Sequence, residues 1–241
     1  MSTRTSMFQQ LSGLDLGCEP VAMAFLSAPP AGVRKMERAE AASCGYWRHA
    51  SEGHSFYTTP DDHQNCPIGA FTHGVTPAPG KAQELESVIG MMVELKYLRA
   101  EEVPAIPHRT ESAQIVAYAP LAEMTFEPDV VIFRGTPRQI MLLSEAARAA
   151  GIFDGSTMGR PACAMIPHAS RTVTGVASVG CIGNRVYTGL GDNELYFTVA
   201  GSRLDHLLEK LGSILEANAA LEAFHTQRAA ALSGPVAGSP D

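Results

Sequence analysis

The 241-residue chain reads as a mixed α/β (α+β) protein, with two pseudo-repeated α/β halves packed as one globular domain. Three observations predict this. Short runs rich in Val, Ile, Phe and Tyr alternate with amphipathic stretches, the pattern of strands interleaved with helices. Hydrophobic residues make up 45% of the chain and charged residues 18%, enough apolar surface for a substantial core. A set of sequence features also occurs twice in the same order.

The strands expected in chain order are 20–26 (PVAMAFL), 114–121 (QIVAYAPL), 129–135 (DVVIFRG), 174–180 (TGVASVG) and 194–201 (ELYFTVAG). Each is bounded by Gly, Pro or polar residues. After Asp129, VVIF is apolar throughout, which suits a central strand covered on both faces. Three helices are expected. From Lys81 to Ala100, Leu85, Val88, Ile89, Met92, Leu95 and Leu98 recur at helical spacing. From Pro137 to Ala150, Thr136 and Gln139 form a capping box, Pro137 occupies the first turn and Gly151 supplies the stop. After Ser202, Leu204, Leu207, Leu208, Leu211, Ile214, Leu215 and Leu221 mark one apolar side. Residues 1–18 read as an N-terminal segment, 19–126 as the first half-repeat, 127–228 as the second and 229–241 as a flexible tail. The two prolines within 103–109 suggest a connector between halves.

The echo lies in the cysteines. Cys44 opens CGYWRHAS and Cys163 opens CAMIPHAS, each with His five residues on (His49 and His168) and then Ala-Ser. Further along, Cys66 begins CPIG and Cys181 begins CIG. Glu19-Pro20 and Glu127-Pro128 each lead into a strand. Such a pattern predicts an ancestral duplication. Two similar units packed about a pseudo-two-fold axis would bring both cysteine pairs toward one cleft.

Composition narrows the function classes. The formal net charge is −7, and the basic residues are scattered, which argues against nucleic-acid or anionic-membrane surfaces. The first twenty residues lack a signal-peptide pattern, and the apolar runs fall short of the roughly 20 residues of a membrane span. A cytoplasmic location is the expectation. Five cysteines, an odd number in a chain of this length, suit packing, metal binding or catalysis rather than a disulfide scaffold.

The sequence resembles the domain-of-unknown-function 169 family from about Glu19 to Lys210. The motifs that carry this are PVAMAF, Cys44 ahead of Gly53, Cys66-Pro-Ile-Gly69, PDVVIF, Cys163, GCIGNR with Cys181 and Arg185, and Glu194-Leu195. The resemblance implies a two-lobed α/β protein with recurrent cysteines, and relatives joined to ferredoxin-like segments hint at redox work. Cys18 falls on none of these motifs.

Four thiolates are the usual shell of an iron–sulfur cluster or structural zinc, so Cys44, Cys66, Cys163 and Cys181 are the candidate metal ligands. Their spacing matches neither zinc knuckles nor ferredoxin runs, and buried thiols that merely pack remain the plain alternative. His49 and His168 are candidate cofactor ligands, with haem or zinc as alternative cofactors. If the Cys-x4-His stretch is helical, a five-residue step turns the two side chains about 140° apart, and Pro167 is expected to break that helix in the second copy. Cys181 and Arg185 are the candidate catalytic pair, a thiolate beside a cation and glycine N–H groups. Asp61 and Asp62 can be bases or merely turn caps, and Tyr46, Trp47, Phe56 and Tyr57 can wall a planar ligand or belong to the core. These residues together suggest a redox-type protein, oxidoreductase-like if an enzyme, with a small-molecule ligand, an electron-transfer partner or a second copy of the chain in a homo-oligomer as the expected partners. The alternatives are a metal-free cysteine-nucleophile enzyme for a small anionic substrate and a non-catalytic haem or tetrapyrrole binder.

Overall fold

A computed structural model describes residues 10–232. Its centre is one eight-stranded sheet in the order β2-β3-β4-β1-β5-β8-β7-β6. The strands are β1 (Val21–Leu26), β2 (Arg34–Lys35), β3 (Phe56–Thr58), β4 (Ile115–Pro120), β5 (Val130–Gly135), β6 (Thr157–Met158), β7 (Val176–Ser178) and β8 (Leu195–Ala200). The helices are α1 (Gly45–Ser51), α2 (Pro67–Thr72), α3 (Lys81–Glu94), α4 (Pro137–Ala149), α5 (Met165–Thr172), α6 (Ile182–Thr188) and α7 (Leu204–Leu232). No described helix is long and apolar enough to cross a membrane.

The two halves use the same connectivity. From the middle outward the first runs β1-β4-β3-β2 and the second β5-β8-β7-β6, with antiparallel, antiparallel and parallel pairings in each. Where they meet, β1 and β5 are antiparallel, with Val21 opposite Ile132, Ala22 opposite Val131 and Met23 opposite Val130. That register has a two-fold centre at the Ala22–Val131 pair. It holds outward as well: Val21 faces Pro120 as Val130 faces Ala200, and Phe56 faces Tyr118 as Val176 faces Thr198.

Strand alternation separates two cores. Val21, Met23, Val130, Ile132 and Tyr196 point to one face, where they pack with Tyr46, Trp47, Met165 and Ile166 of α1 and α5. Ala22, Val131, Phe133, Phe197 and Val199 point to the other, under Ile140 and Leu143 of α4 and Leu204, Leu207, Leu208 and Leu211 of α7. Val130–Phe133 is apolar throughout because both of its faces are covered. The cap of α4 forms as its sequence dictates: Gln139 Oε1 accepts the Thr136 N–H at 2.7 Å, and Thr136 Oγ1 accepts the Gln139 N–H at 3.4 Å.

Four local expectations need correction. The helix expected over 81–100 stops at Glu94 because Lys96 turns left-handed (φ 56°), which swings Leu98 inward to burial. Residues 103–109 do not join the halves; they lead from α3 and the 3₁₀ turn Ala100–Ala105 back into β4 within the first half. Pro167 does not break α5 but sits in its first turn, where its missing N–H would have had no helical partner. Residues 229–232, expected in a flexible tail, belong instead to α7, which continues through Leu232; the rest of that expectation, and most of the N-terminal segment, lies outside the described residues.

Candidate functional site

The four candidate sulfurs arrive by the same local route, each at the entry to a short helix. Cys44 precedes α1, Cys66 caps α2, Cys163 lies in the 3₁₀ turn Ala162–Ala164 that runs into α5, and Cys181 precedes α6. In each half the first cysteine therefore follows the edge strand and the second follows the next strand in. Tyr46 and Trp47 anchor α1 in the core, and Met165 and Ile166 anchor α5. The cysteines ahead of them are thereby fixed.

All four line one cavity of about 380 Å³, a volume typical of small-molecule pockets. The helix entries that carry the cysteines, with Ala41, Ala42, Pro161 and Asn184, form one wall. The cavity's cover is the first half's long crossing, through Val88, Ile89 and Met92 of α3 and then Tyr97, Leu98 and Ile106. This cover is tied down across the halves. Arg160 Nη2 bonds Glu102 Oε2 at 3.0 Å, and its guanidinium lies 5.3 Å from the Tyr97 ring centroid. The 3₁₀ turn carrying Cys163 packs against α2, and α1 packs against α6, so each half supplies a wall to the other's cysteines.

Close approach explains two glycines. At Gly69 a Cβ would fall 2.4 Å from Ser43 Oγ and 3.0 Å from Cys66 Sγ; without one, the Gly69 N–H donates to Cys66 Sγ at 3.3 Å. Gly180 takes φ +73° immediately before Cys181, and a Cβ there would meet Leu190 at 2.7 Å and Asn184 Oδ1 at 3.0 Å.

Burial sets the state of two thiols. It pushes Cys44 up to about 12 and Cys163 well above the ordinary thiol range, so both keep their protons near neutral pH. Among the described residues, no group of three or more His, Cys, Asp or Glu side chains is placed to hold a metal ion. The four cysteines share the cavity as lining residues.

The remaining candidates are placed elsewhere. Arg185 does not face an anion pocket: its Nη1 donates to the Gly191 carbonyl and its Nη2 to the Val179 carbonyl, each at 2.8 Å. It pins the loop on either side of α6. No histidine is among the cavity-lining residues. His49 reaches Glu40 at 2.7 Å, because the five-residue helical step from Cys44 carries it away, and His168 sits on α5 near Asp154 and Arg171. Cys18 lies apart, near Ser51 and Arg134. Tyr46, Trp47 and Phe56 are core, with Phe56 stacked on Tyr118 at 5.2 Å. Asp62 caps its own 3₁₀ turn, accepting the Thr59 N–H at 2.7 Å, and pairs with Lys35 at 3.3 Å.

One cavity residue escaped the sequence reading. Asn184 is 2% exposed and has the Cys44 thiol and the Tyr196 hydroxyl as its polar neighbours, although neither amide atom is aligned for a regular hydrogen bond. Its only signal was its place in GCIGNR, three residues after Cys181.

The fold and cavity define a mixed α/β protein built on one eight-stranded sheet, with a thiol-lined, largely apolar pocket. The chain belongs to the domain-of-unknown-function 169 family, described as uncharacterised ArCR, whose model matches residues 12–210. It is similar to an uncharacterised protein of Methanocaldococcus jannaschii, 29% identical over 167 residues that cover 66% of this chain and 71% of the relative. No solved structure matches it.

Proposed function

We propose that this is a cytoplasmic redox-type protein that carries an iron–sulfur cluster on Cys44, Cys66, Cys163 and Cys181, one cysteine pair from each copy of a duplicated unit. The observation that carries the reading is the convergence of four sulfurs, 119 positions apart between the two leading ones (Cys44 and Cys163), on one cavity. The donor set fits: four soft thiols with no competing carboxylate among the four ligands match iron–sulfur ligation. The identical register of the halves supports descent from one copied unit. The described cysteines are all free, which fits a reducing compartment.

When bound, the cluster would supply one-electron redox chemistry. The chain's own part is to hold four sulfurs at fixed helix entries, to keep water out with α3, and to release the thiol protons of Cys44 and Cys163 as they become ligands. A metal-free thiol enzyme is less well supported, because Arg185 is committed to carbonyls and the two buried thiols are neutral. A haem site would find no histidine at the cavity wall.

The test is anaerobic reconstitution with ferrous iron and sulfide, followed by metal and sulfide analysis and absorbance. The expected result is a brown protein whose iron content falls on Cys→Ser substitution at each of the four positions but not at Cys18. A colourless, iron-free and fully folded product would sink the reading.

A further inference from the structure

The helix that covers the cavity has an amphipathic sequence but buries none of its side chains. Leu85, Val88, Ile89 and Met92 of α3 fall at three- and four-residue steps and form one apolar stripe. Yet no residue of α3 is buried. A helix of fourteen residues is marginal in water and owes its stability to packing of its apolar face. Val88, Ile89 and Met92 belong to neither core and line the cavity instead. Charge narrows what fits there. Glu84 and Arg160 are the charged carboxylate and guanidinium among the lining residues, and each is already paired, Glu84 with Lys81 and Arg160 with Glu102. Cys44 and Cys163, which keep their protons near neutral pH, act as small apolar groups.

We propose that the cavity binds an uncharged small molecule built around an aromatic ring, held between α3 and the helix entries that carry the cysteines. The inference goes beyond the cluster reading and does not depend on it, because it needs only apolar side chains and protonated thiols. The volume of about 380 Å³ is that of a small-molecule site. Neutrality follows from the two ion pairs: a charged guest would lose its water and find no free counter-charge. The ring follows from the sulfurs. Cys44, Cys66, Cys163, Cys181 and Met92 share the lining with the rings of Tyr97 and Tyr187, and both sulfur and aromatic edges favour aromatic partners. A guest there gives the stripe of α3 the apolar contact it otherwise lacks, so binding and firming of the cover are one event. The Arg160–Glu102 pair ties that cover to the second half, which encloses the guest between the halves.

The test uses the full chain without added iron or sulfide and a matched pair of fluorescent probes. N-phenyl-naphthylamine is neutral; anilinonaphthalene sulfonate has the same ring system and a negative charge. The neutral probe should bind saturably, one per chain, and about tenfold or more tighter than the sulfonate. It should slow amide hydrogen exchange in α3. It should also shield Cys66 and Cys181 from N-ethylmaleimide while Cys18, which is not among the lining residues, reacts at its own rate. Ile89→Glu sets an unpaired carboxylate into the cavity from a half-buried helix position, and should weaken the neutral probe about tenfold or more. If that variant fails to fold, the shielding pattern in wild type decides. Equal affinity for the two probes overturns the inference, as does a bound probe that leaves Cys66 and Cys181 fully reactive, or a chain that takes up neither probe. A chain that dimerises and accepts the probe only on dissociation gives this face to a second copy, and overturns it too. Iron loading is scored separately, so the cluster reading and this one can each fail alone.

Discussion

The two faces of the sheet obey different rules. Under α4 and α7 the core is apolar throughout, from Val131, Phe133, Phe197 and Val199 up to Leu207, Leu208 and Leu211. The cysteine face buries Ser43, Thr58, His63, Thr72, His73 and Asn184 among its hydrophobic side chains. Several polar atoms there, including both ring nitrogens of His73, have no hydrogen-bond partner. Unpaired buried polar groups lower stability. The α4–α7 face therefore supplies the surplus on which the cysteine face draws, the separation expected when a site is built into a fold that must also stand.

The largest effect should come from breaking the apolar face. Phe133 is fully buried beneath α4 and α7, and Phe133→Ala should cost about 3–5 kcal/mol through lost burial and the cavity left behind. Urea denaturation of the empty protein measures this. Iron loading per folded molecule should stay at the wild-type level, since none of the cavity-lining residues belongs to that core. A parallel loss of loading would show that the faces are not separable.

The cysteine face should be the one that responds to acid. Burial lowers His63 to about 4, while its ring accepts or donates to Ser43 Oγ at 2.9 Å and Thr58 Oγ1 at 2.8 Å. Burial and the neighbouring His63 and Arg109 hold His73 down as well. The unfolded chain binds these protons near pH 6.5 and the folded chain does not, so stability is full above that value and falls as the pH drops toward 4. For His63 alone the loss between pH 7.5 and pH 5 should be about 2 kcal/mol. Denaturation midpoints across that range should slope for wild type and flatten for His63→Gln. An equal slope in both would place the acid sensitivity elsewhere.

The apolar face was the more legible one. DVVIF, the Thr136–Gln139 cap and the leucines of α7 announce themselves because periodicity and capping are local chemistry. The cysteine face is made of elements of two to eight residues, such as β2, β6, α2 and α6, too short to show a period. Their positions are set by tertiary packing. The repeat compensated in part: cysteines too distant for any local motif were paired through their echo, and all four reach one cavity. Arg185 and the two histidines were misplaced because sequence distance from a cysteine does not say where a side chain points. Asn184 stayed hidden because a buried amide is visible only when its surroundings are.

The smallest effect discriminates between two roles for one side chain on the cysteine face. Arg185 is about three-quarters buried and ties Gly191 and Val179 together through their carbonyls. Asp192, fully exposed at 3.9 Å, adds little. Removing the guanidinium leaves both carbonyls near solvent, able to take water instead, so Arg185→Ala should cost only about 1 kcal/mol. Loop 179–191 should loosen, read as faster amide hydrogen exchange in α6, whose Cys181 end faces the cavity. The consequence for the site is indirect: iron should load to the same final content but more slowly, because one of the four sulfurs is held less firmly. Were Arg185 an anion receptor, the pattern would reverse, with stability untouched and a phosphate- or carboxylate-dependent property lost. A melting temperature that falls slightly, together with a salt response identical to wild type, assigns this cation to the scaffold.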